Sequence, residues 1–503
     1  MQMTLALART RDQIFIDGDW VDPGGSNRIE VTSPTTEEII GSVPSATVPD
    51  IDRAVAAARR AFDLGPWPRA VPAERAAVLR RVRDELQARR QDFAQLVTDE
   101  MGCPITQSLA IQVGAPLALL DSYLDLVGTF PFRDVRSAPS GNALVTREPI
   151  GVVAAVVPWN VPLTVAIQKV APALLMGCTV ILKPAPETSL TTLALVQLFQ
   201  DAGLPAGVLN VVPAEREASE YLVSHPGVDK VTFTGSTAAG RRIGALCGQN
   251  LKRVTLELGG KSAAVILDDA DLDTTVESLR LGSLRNSGQI CTLKTRILVS
   301  DRRHDDVVDR LHALLESMPV GDPRDPVTQI GPMVTRRQRD VVTNYIRSGI
   351  EQGARPVIGA GVAPQDRGWF VDPTIFTDVD PDMRIAREEI FGPVLAVIRY
   401  SDEDMAIDIA NHSDYGLSGG VFTSDLDHGI AVASRIRTGS VEINGNPVGF
   451  KAPVGGFKSS GIGREAGHEG MDEYVETKSY GLPAEKVAQL TNDLAAWESV
   501  TYS

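Results

Sequence analysis

The hydrophobic positions change their period along the chain, and each change marks a different kind of element. Residues 11–50 read as short strands and turns: in "QIFIDGDWVD" apolar and polar residues alternate on both sides of an Asp-Gly turn, and "NRIEVTSP" repeats the alternation. The spacing then becomes helical. "VPDIDRAVAAARRAF" and "PAERAAVLRRVRDELQARR" carry apolar residues at helical intervals behind Pro or Asp starts, and "RQDFAQLVTDEMG" runs on to a Gly stop.

From about 150 to 267 the pattern alternates. "GVVAAVVP", "TVILKP", "GVLNVVP", "KVTFTG" and "RVTLEL" are short β-rich runs, separated by the helical runs "PLTVAIQKVAPALLMG", "SLTTLALVQLFQDAG", "EASEYLVSHPG" and "STAAGRRIGALCG". This βαβ alternation predicts a parallel sheet covered by helices on both faces. A second alternating region, from "SAAVILDD" through "TRILVS" and "HDDVVDRLHALLESM" to "GSVEING", predicts a separate α/β domain that carries Cys291. Between the helical start and the first alternating region, "FRDVRSAPSGNALVTREP" (132–149) reads as a two-stranded β excursion around Ser140-Gly141. Such an excursion is too small to be stable alone, and pairing with a neighbouring subunit would cover its edges.

Composition narrows the class. A chain of 503 residues exceeds what one core supports, so at least two domains are expected. Its 43% hydrophobic and 22% charged residues are those of a soluble globular protein. Lys plus Arg (49) against Asp plus Glu (64) gives a net charge of −15, which repels phosphate backbones and anionic membrane surfaces and argues against nucleic acid as a main partner. Cys103, Cys178, Cys247 and Cys291 include no CxxC pair, so neither a metal site nor a disulfide framework is expected, and a reducing cytoplasm fits. No apolar run approaches roughly 20 residues without a charge, Pro or Gly, and the N-terminus lacks the long apolar region of a signal peptide, so no membrane span or export is expected.

Five stretches have the residue types for chemistry. In "SGQICT", Cys291 stands at the end of a Gly-Gln turn, either as a small buried hydrophobe or as a nucleophile. In "KVTFTGSTAAGRRIG" a strand gives way at Gly235-Ser236 to a helix whose free N–H groups suit an anion such as a pyrophosphate, although the spacing Gly235, Gly240, Gly244 is not that of the usual dinucleotide fingerprint. Lys183 ends the strand of "TVILKPAPE", where it is either a solvated strand-end lysine or a donor to ribose hydroxyls. Glu257 interrupts the apolar strand of "VTLELGGK"; a raised pKa would suit it to general-base work, and a hidden ion pair is the other account. Asn160 in "VVPWNVPL" either stabilises an oxyanion or caps the next helix.

Taken together and in order, "PWN", "LKP", "FTGS", "ELGGK", "GQICT", "EEIFGP" and "GGFKSSGIGRE" make the chain resemble the NAD(P)-dependent aldehyde dehydrogenase superfamily from about Ile14 to Tyr480. The resemblance implies a Rossmann-like NAD(P)-binding domain (1–125 and 149–258), an α/β catalytic domain (259–445), and a β oligomerisation element with a C-terminal segment (126–148 and 446–503). It implies oxidation of an aldehyde to a carboxylic acid. Cys291 matches the nucleophile, Glu257 the base that hydrolyses the thioester, and Asn160 with the backbone N–H of Cys291 the oxyanion hole. Lys169 and Glu476 match a proton-passing pair. Lys183 matches the contact to the adenosine ribose, Gly235 and Ser236 the pyrophosphate turn, and Glu389 and Phe391 the contacts to the nicotinamide ribose and ring. Trp159, Ala185 and Leu258 are assigned beside the cofactor in the same way. NAD is the implied cofactor, with NADP accepted, and a homodimer or homotetramer the implied assembly.

Three positions depart from the family pattern. Where NAD-preferring members commonly carry a Glu three residues after the lysine, this chain has Pro186 and then Glu187; Val454 replaces an aromatic residue; and Val161 and Gln168 stand where tunnel residues are often aromatic. Two rivals share the fold. A CoA-acylating semialdehyde dehydrogenase typically lacks the glutamate present here as Glu257, and a non-catalytic member would be expected to lose Cys291, Glu257 or Asn160, all of which are present. A cysteine hydrolase would need a histidine base, and none of the six histidines lies in a matching motif.

Overall fold

The computed structural model describes residues 11–490 apart from 362 and 364. Two large sheets dominate it. The first has eight strands in the order Asp19–Val21, Ile14–Ile16, Leu209–Val211, Thr179–Lys183, Val152–Val156, Lys230–Thr234, Arg253–Glu257 and Gly461–Ile462. Its five central strands are parallel, and the strands at both edges run antiparallel. Numbered along the chain, the five parallel strands lie in the order 3-2-1-4-5, the doubly wound arrangement, which reverses direction between Val152–Val156 and Lys230–Thr234.

The sequence pattern explains the two covered faces. Val153, Ala155, Val180, Leu182 and Leu209 point into one core, while Val152, Ala154, Val156, Ile181 and Val231 point into the other. Both faces are apolar because the helices Pro162–Leu175 and Ser189–Asp201 on one side, and Val48–Asp63 and Thr237–Gln249 on the other, cover them. The second sheet has seven strands in the order Arg355–Ile358, Thr374–Thr377, Val394–Tyr400, Lys294–Ser300, Ser262–Ile266, Ser418–Phe422 and Ser440–Ile443, all parallel except the first. It splits its apolar residues in the same way, with Val265 and Leu298 on one face and Ile266 and Ile297 on the other.

The Asp-Gly hairpin forms as expected, with Ile16 paired to Asp19 around Asp17 and Gly18, whose φ of 87° only glycine adopts freely. The excursion at 132–149 is two-stranded as expected, Arg133–Ala138 pairing with Gly141–Pro149, and Val475–Leu482 adds a third strand along the other side of Gly141–Pro149. The C-terminal part was expected to belong with this excursion, but its strands divide. Phe457–Lys458 pairs with Tyr415–Gly416 of the second unit, and Gly461–Ile462 extends the first sheet. The end of that segment, 491–503, lies outside the described residues, as does the start of the expected first domain, 1–10.

One helical stretch, Ile105–Thr129, is long and apolar enough to cross a membrane by length and composition. It contains Gly114, Pro116 and Asp121, and Val113, Leu119, Leu120 and Tyr123 are buried in the first core, against Pro162–Leu175 and Pro72–Ala88.

Candidate active site

Parallel strands place their carboxyl ends on one edge, so residues far apart in sequence meet there. Trp159 and Asn160 follow Val152–Val156, Lys183 ends its strand, Gly235 and Ser236 follow Lys230–Thr234, and Glu257 ends its strand. The first and third of these flank the point where the strand order reverses. Cys291 comes from the second unit, on the turn that enters Lys294–Ser300.

That turn is strained and tightly held. Asn286 (φ 52°) and Ser287 (φ 56°) are left-handed without being glycine, and Gly288 (φ 78°) has no room for a side chain, since a Cβ would stand 2.1 Å from the carbonyl oxygen of Gly392. Hydrogen bonds fix the geometry. The Asn286 N–H donates to Gln107 Oε1 (2.7 Å), the Gly331 N–H to Ser287 Oγ (2.9 Å), and the Val334 N–H to Gln289 Oε1 (3.0 Å). The outcome is a half-buried Cys291, whereas Cys103, Cys178 and Cys247 are buried. Burial, then the nearby Glu389 and Glu257, push the Cys291 thiol up to about 12, and Arg285 pulls it the other way.

Asn160 is buried, and its side-chain nitrogen donates to the backbone carbonyl of Gln289 at 2.9 Å, two residues before the cysteine. An amide nitrogen has two donors, so a second N–H remains for an oxyanion. Asn160 does not cap the following helix: Val161 occupies the N-cap, and no side chain caps there. Gln112 Nε2 and Asn286 Nδ2 both donate to the Asn160 carbonyl, at 3.0 and 3.1 Å, which binds this loop to the cysteine turn.

Glu257 is 6% exposed, and its Oε1 is buried without a hydrogen-bond partner. Burial, followed by Glu465, pushes its carboxyl well above the usual range, while Lys169 and Arg464 oppose the shift. A hidden ion pair is therefore not what occupies this oxygen. Gly455 makes the approach possible, since a Cβ there would stand 3.0 Å from Glu257 Oε1.

The expected pairing of Lys169 with Glu476 is not what the structure brings together. Lys169, fully buried, donates to Thr232 Oγ1 (3.1 Å) and forms its ion pair with Glu465, which is 2% exposed. Glu476 lies on the surface in a bidentate pair with Arg253, at 2.8 and 3.0 Å. The reason is chain direction: Val475–Leu482 runs out along the three-stranded sheet, whereas the loop carrying Glu465 turns back under the first sheet, with Val454 and Glu465 bridged backbone to backbone. Glu465 stands in "GIGREAG", a loop without hydrophobic period.

The remaining positions form a second cluster. Trp159 and Phe391 meet edge to face, with centroids 5.5 Å apart, and Glu389 Oε1 accepts from the Gly260 N–H at 3.0 Å. Gly259 leaves room for this carboxylate, since a Cβ would stand 2.3 Å from Glu389 Oε2 and displace it. Burial pushes Glu389 up to about 7, against the Gly260 N–H and Lys261. Ser236 caps the helix Thr237–Gln249, and Gly240 lets that helix pack on Leu258, where a Cβ would meet Leu258 Cδ2 at 2.3 Å. Lys183 is 8% exposed and pushed down to about 8 by burial, against Glu187, and Ala185 caps the short turn Pro186–Thr188. These residues fit a dinucleotide: a helix N-terminus opens at the reversal of strand order, the Thr234 hydroxyl beside it is buried without a partner, and the ammonium of Lys183 and the carboxylate of Glu389 offer polar groups of the kind ribose hydroxyls bind.

Comparison with known proteins agrees with this arrangement. Residues 20–480 match the model of the aldehyde dehydrogenase family. The geranial dehydrogenase of Castellaniella defragrans is 47% identical over 93% of this chain and 98% of its own length, and a 3-succinoylsemialdehyde-pyridine dehydrogenase of a Pseudomonas species is 42% identical over 93% and 98%. A Mycobacterium tuberculosis aldehyde dehydrogenase complexed with NAD+ superposes with a TM-score of 0.93 at 46% identity, covering 95% of this chain and 99% of that one. Aldehyde dehydrogenase C of Pseudomonas syringae, a cysteine-to-alanine mutant complexed with NAD+ and octanal, superposes at 0.91 with 40% identity, over 94% and 97%. With its fold and nearly its whole length in agreement, this chain belongs to the aldehyde dehydrogenase family and is an oxidoreductase acting on aldehydes.

Proposed function

We propose that the chain oxidises an aldehyde to a carboxylic acid through a thioester on Cys291, with NAD+ as the working cofactor and NADP+ tolerated. The observation that carries this reading is the junction of the two units. Asn160 of the first donates to the carbonyl of Gln289 in the second, beside Cys291, while the unpaired carboxylate of Glu257 acts electrostatically on the same thiol.

Each residue then has one task. Cys291 loses its thiol proton to solvent and Sγ adds to the aldehyde carbon, while the free N–H of Asn160 with the backbone N–H of Cys291 holds the oxygen that becomes negative; as that oxygen re-forms its C=O bond the aldehyde C–H bond breaks, its electron pair leaving as hydride, and a thioester remains. NAD+, held by Lys183, the Gly235-Ser236 turn, Glu389, Phe391 and Trp159, supplies when bound a nicotinamide ring that accepts a hydride. Glu257 takes a proton from water, whose oxygen attacks the thioester carbonyl; the C–S bond breaks, releasing the acid and returning the thiol. The buried Lys169–Glu465 pair, rather than Glu476, is the route we assign for that proton.

The three-stranded sheet presents Arg133–Ala138 as an edge, which supports a homodimer or homotetramer. A cytoplasmic setting accords with four unpaired cysteines. A Cys291→Ala variant tests the reaction assignment. It should lose NADH formation with aldehydes by about 10³-fold or more while binding NAD+ as before, because the thiol meets the substrate and not the adenosine. Retained turnover would refute the role of Cys291.

A further inference from the structure

The nucleophile sits between two carboxylates, Glu257 at the end of Arg253–Glu257 and Glu389 before Val394–Tyr400, and both oppose its ionisation. A cation acting on it comes from its own turn. Arg285 is half-buried, as are Ile290, Cys291 and Thr292, while Asn286 to Gln289 between them are buried. Its Nη2 donates to the hydroxyl of Thr292, directly after the cysteine, at 3.2 Å, and its Nε is buried without a partner. A buried guanidinium with an unmade hydrogen bond is costly, and it is kept where its charge is used. Two groups act on it electrostatically: Glu442 of Ser440–Ile443, which is already paired with Lys294, and Cys291 itself.

Resting on the assignment of Cys291 as nucleophile, we propose that Arg285 is a positioning residue for the thiolate: its guanidinium, anchored on Thr292, sets positive charge against the sulfur and offsets Glu257 and Glu389. It acts through Cys291 and makes no bond in the reaction.

The test reads the sulfur directly. The apoenzyme is alkylated with iodoacetamide, which is uncharged, across pH 6 to 10, and labelling of the Cys291 peptide is followed by mass spectrometry. The three other cysteines are buried and serve as internal controls. A positive charge favours the thiolate, so its loss raises the pH at which labelling begins. Arg285→Gln, which keeps a donor for Thr292 but no charge, should label Cys291 about tenfold more slowly at pH 7.5, with its profile displaced upward; Arg285→Lys, which keeps the charge, should follow wild type. The proposal is overturned if the Gln profile coincides with wild type, even where aldehyde KM changes, since Arg285 would then face the substrate. It is equally overturned if Lys behaves as Gln does. Activity retained in Cys291→Ala would instead strike the nucleophile assignment, leaving the alkylation result to stand on its own.

Discussion

Two buried carboxylates show what separates a structural site from a reactive one. Glu100 lies fully buried beneath the start of Ser189–Asp201, where it accepts from the N–H groups of Leu190 (2.8 Å) and Thr191 (3.0 Å) and from the Thr191 hydroxyl. Glu257 is as deeply placed, yet one of its oxygens has no partner. Burial raises the pKa of both. The difference is satisfaction: Glu100 spends its acceptors on a helix end, while Glu257 holds one in reserve for a group that arrives later. The Lys169–Glu465 pair is of the sealed kind, although it lies beside the reactive residue.

The largest effect expected from this contrast is at the sealed pair. Lys169→Met would leave Glu465 charged and buried, at a cost of about 3–5 kcal/mol in denaturant unfolding, whereas Glu257→Gln breaks no pair and should stay within about 1 kcal/mol of wild type. Similar losses in both would erase the distinction. Next comes Glu100→Ala, which orphans two N–H groups and a hydroxyl and should cost about 2–3 kcal/mol. Its pH dependence has a definite sign. With the folded pKa raised to about 8, the carboxyl is stabilising below its ordinary value of 4.5 and loses that contribution as pH rises toward 8. Glu100→Gln should therefore gain stability relative to wild type between pH 5 and 8, and a constant difference would contradict the raised value.

The turn after Lys183, which we propose meets the adenosine ribose, carries Pro186 in place of a carboxylate, and Glu187 acts on Lys183 instead. Pro186→Glu should shift the ratio of kcat/KM toward NAD+ over NADP+ by about 5- to 150-fold, equivalent to about 1–3 kcal/mol. An unchanged ratio would mean that position 186 does not face the ribose. The smallest effect belongs to Glu476→Gln. This exposed pair with Arg253 should cost less than about 1 kcal/mol and leave turnover unchanged, while a large loss of turnover would restore Glu476 to the proton path.

Strand ends were legible in the sequence because period and chemistry coincide there. Glu257, Lys183 and Asn160 each close an apolar run, and their positions follow from the parallel topology. Glu465 was not, because its partner Lys169 is 296 residues away and its own loop has no period. The two-residue edge strand Gly461–Ile462 escaped for the same reason, since two residues carry no alternation. Arg285 drew no notice beside the cysteine because spacing on a left-handed turn does not say which way a side chain faces. The long helical stretch Ile105–Thr129, interrupted by the wider turn Ser108–Val113, also lay outside the reading from periodicity.

The central claim is that Cys291 carries the acyl group and Glu257 releases it. The most direct measurement is rapid-mixing absorbance at 340 nm for Glu257→Gln with an aldehyde and NAD+. The account predicts a burst of up to one NADH per active site followed by a steady rate slower by about 10²-fold or more, because acylation survives and hydrolysis does not. Burst and steady rate lost in equal proportion would contradict it.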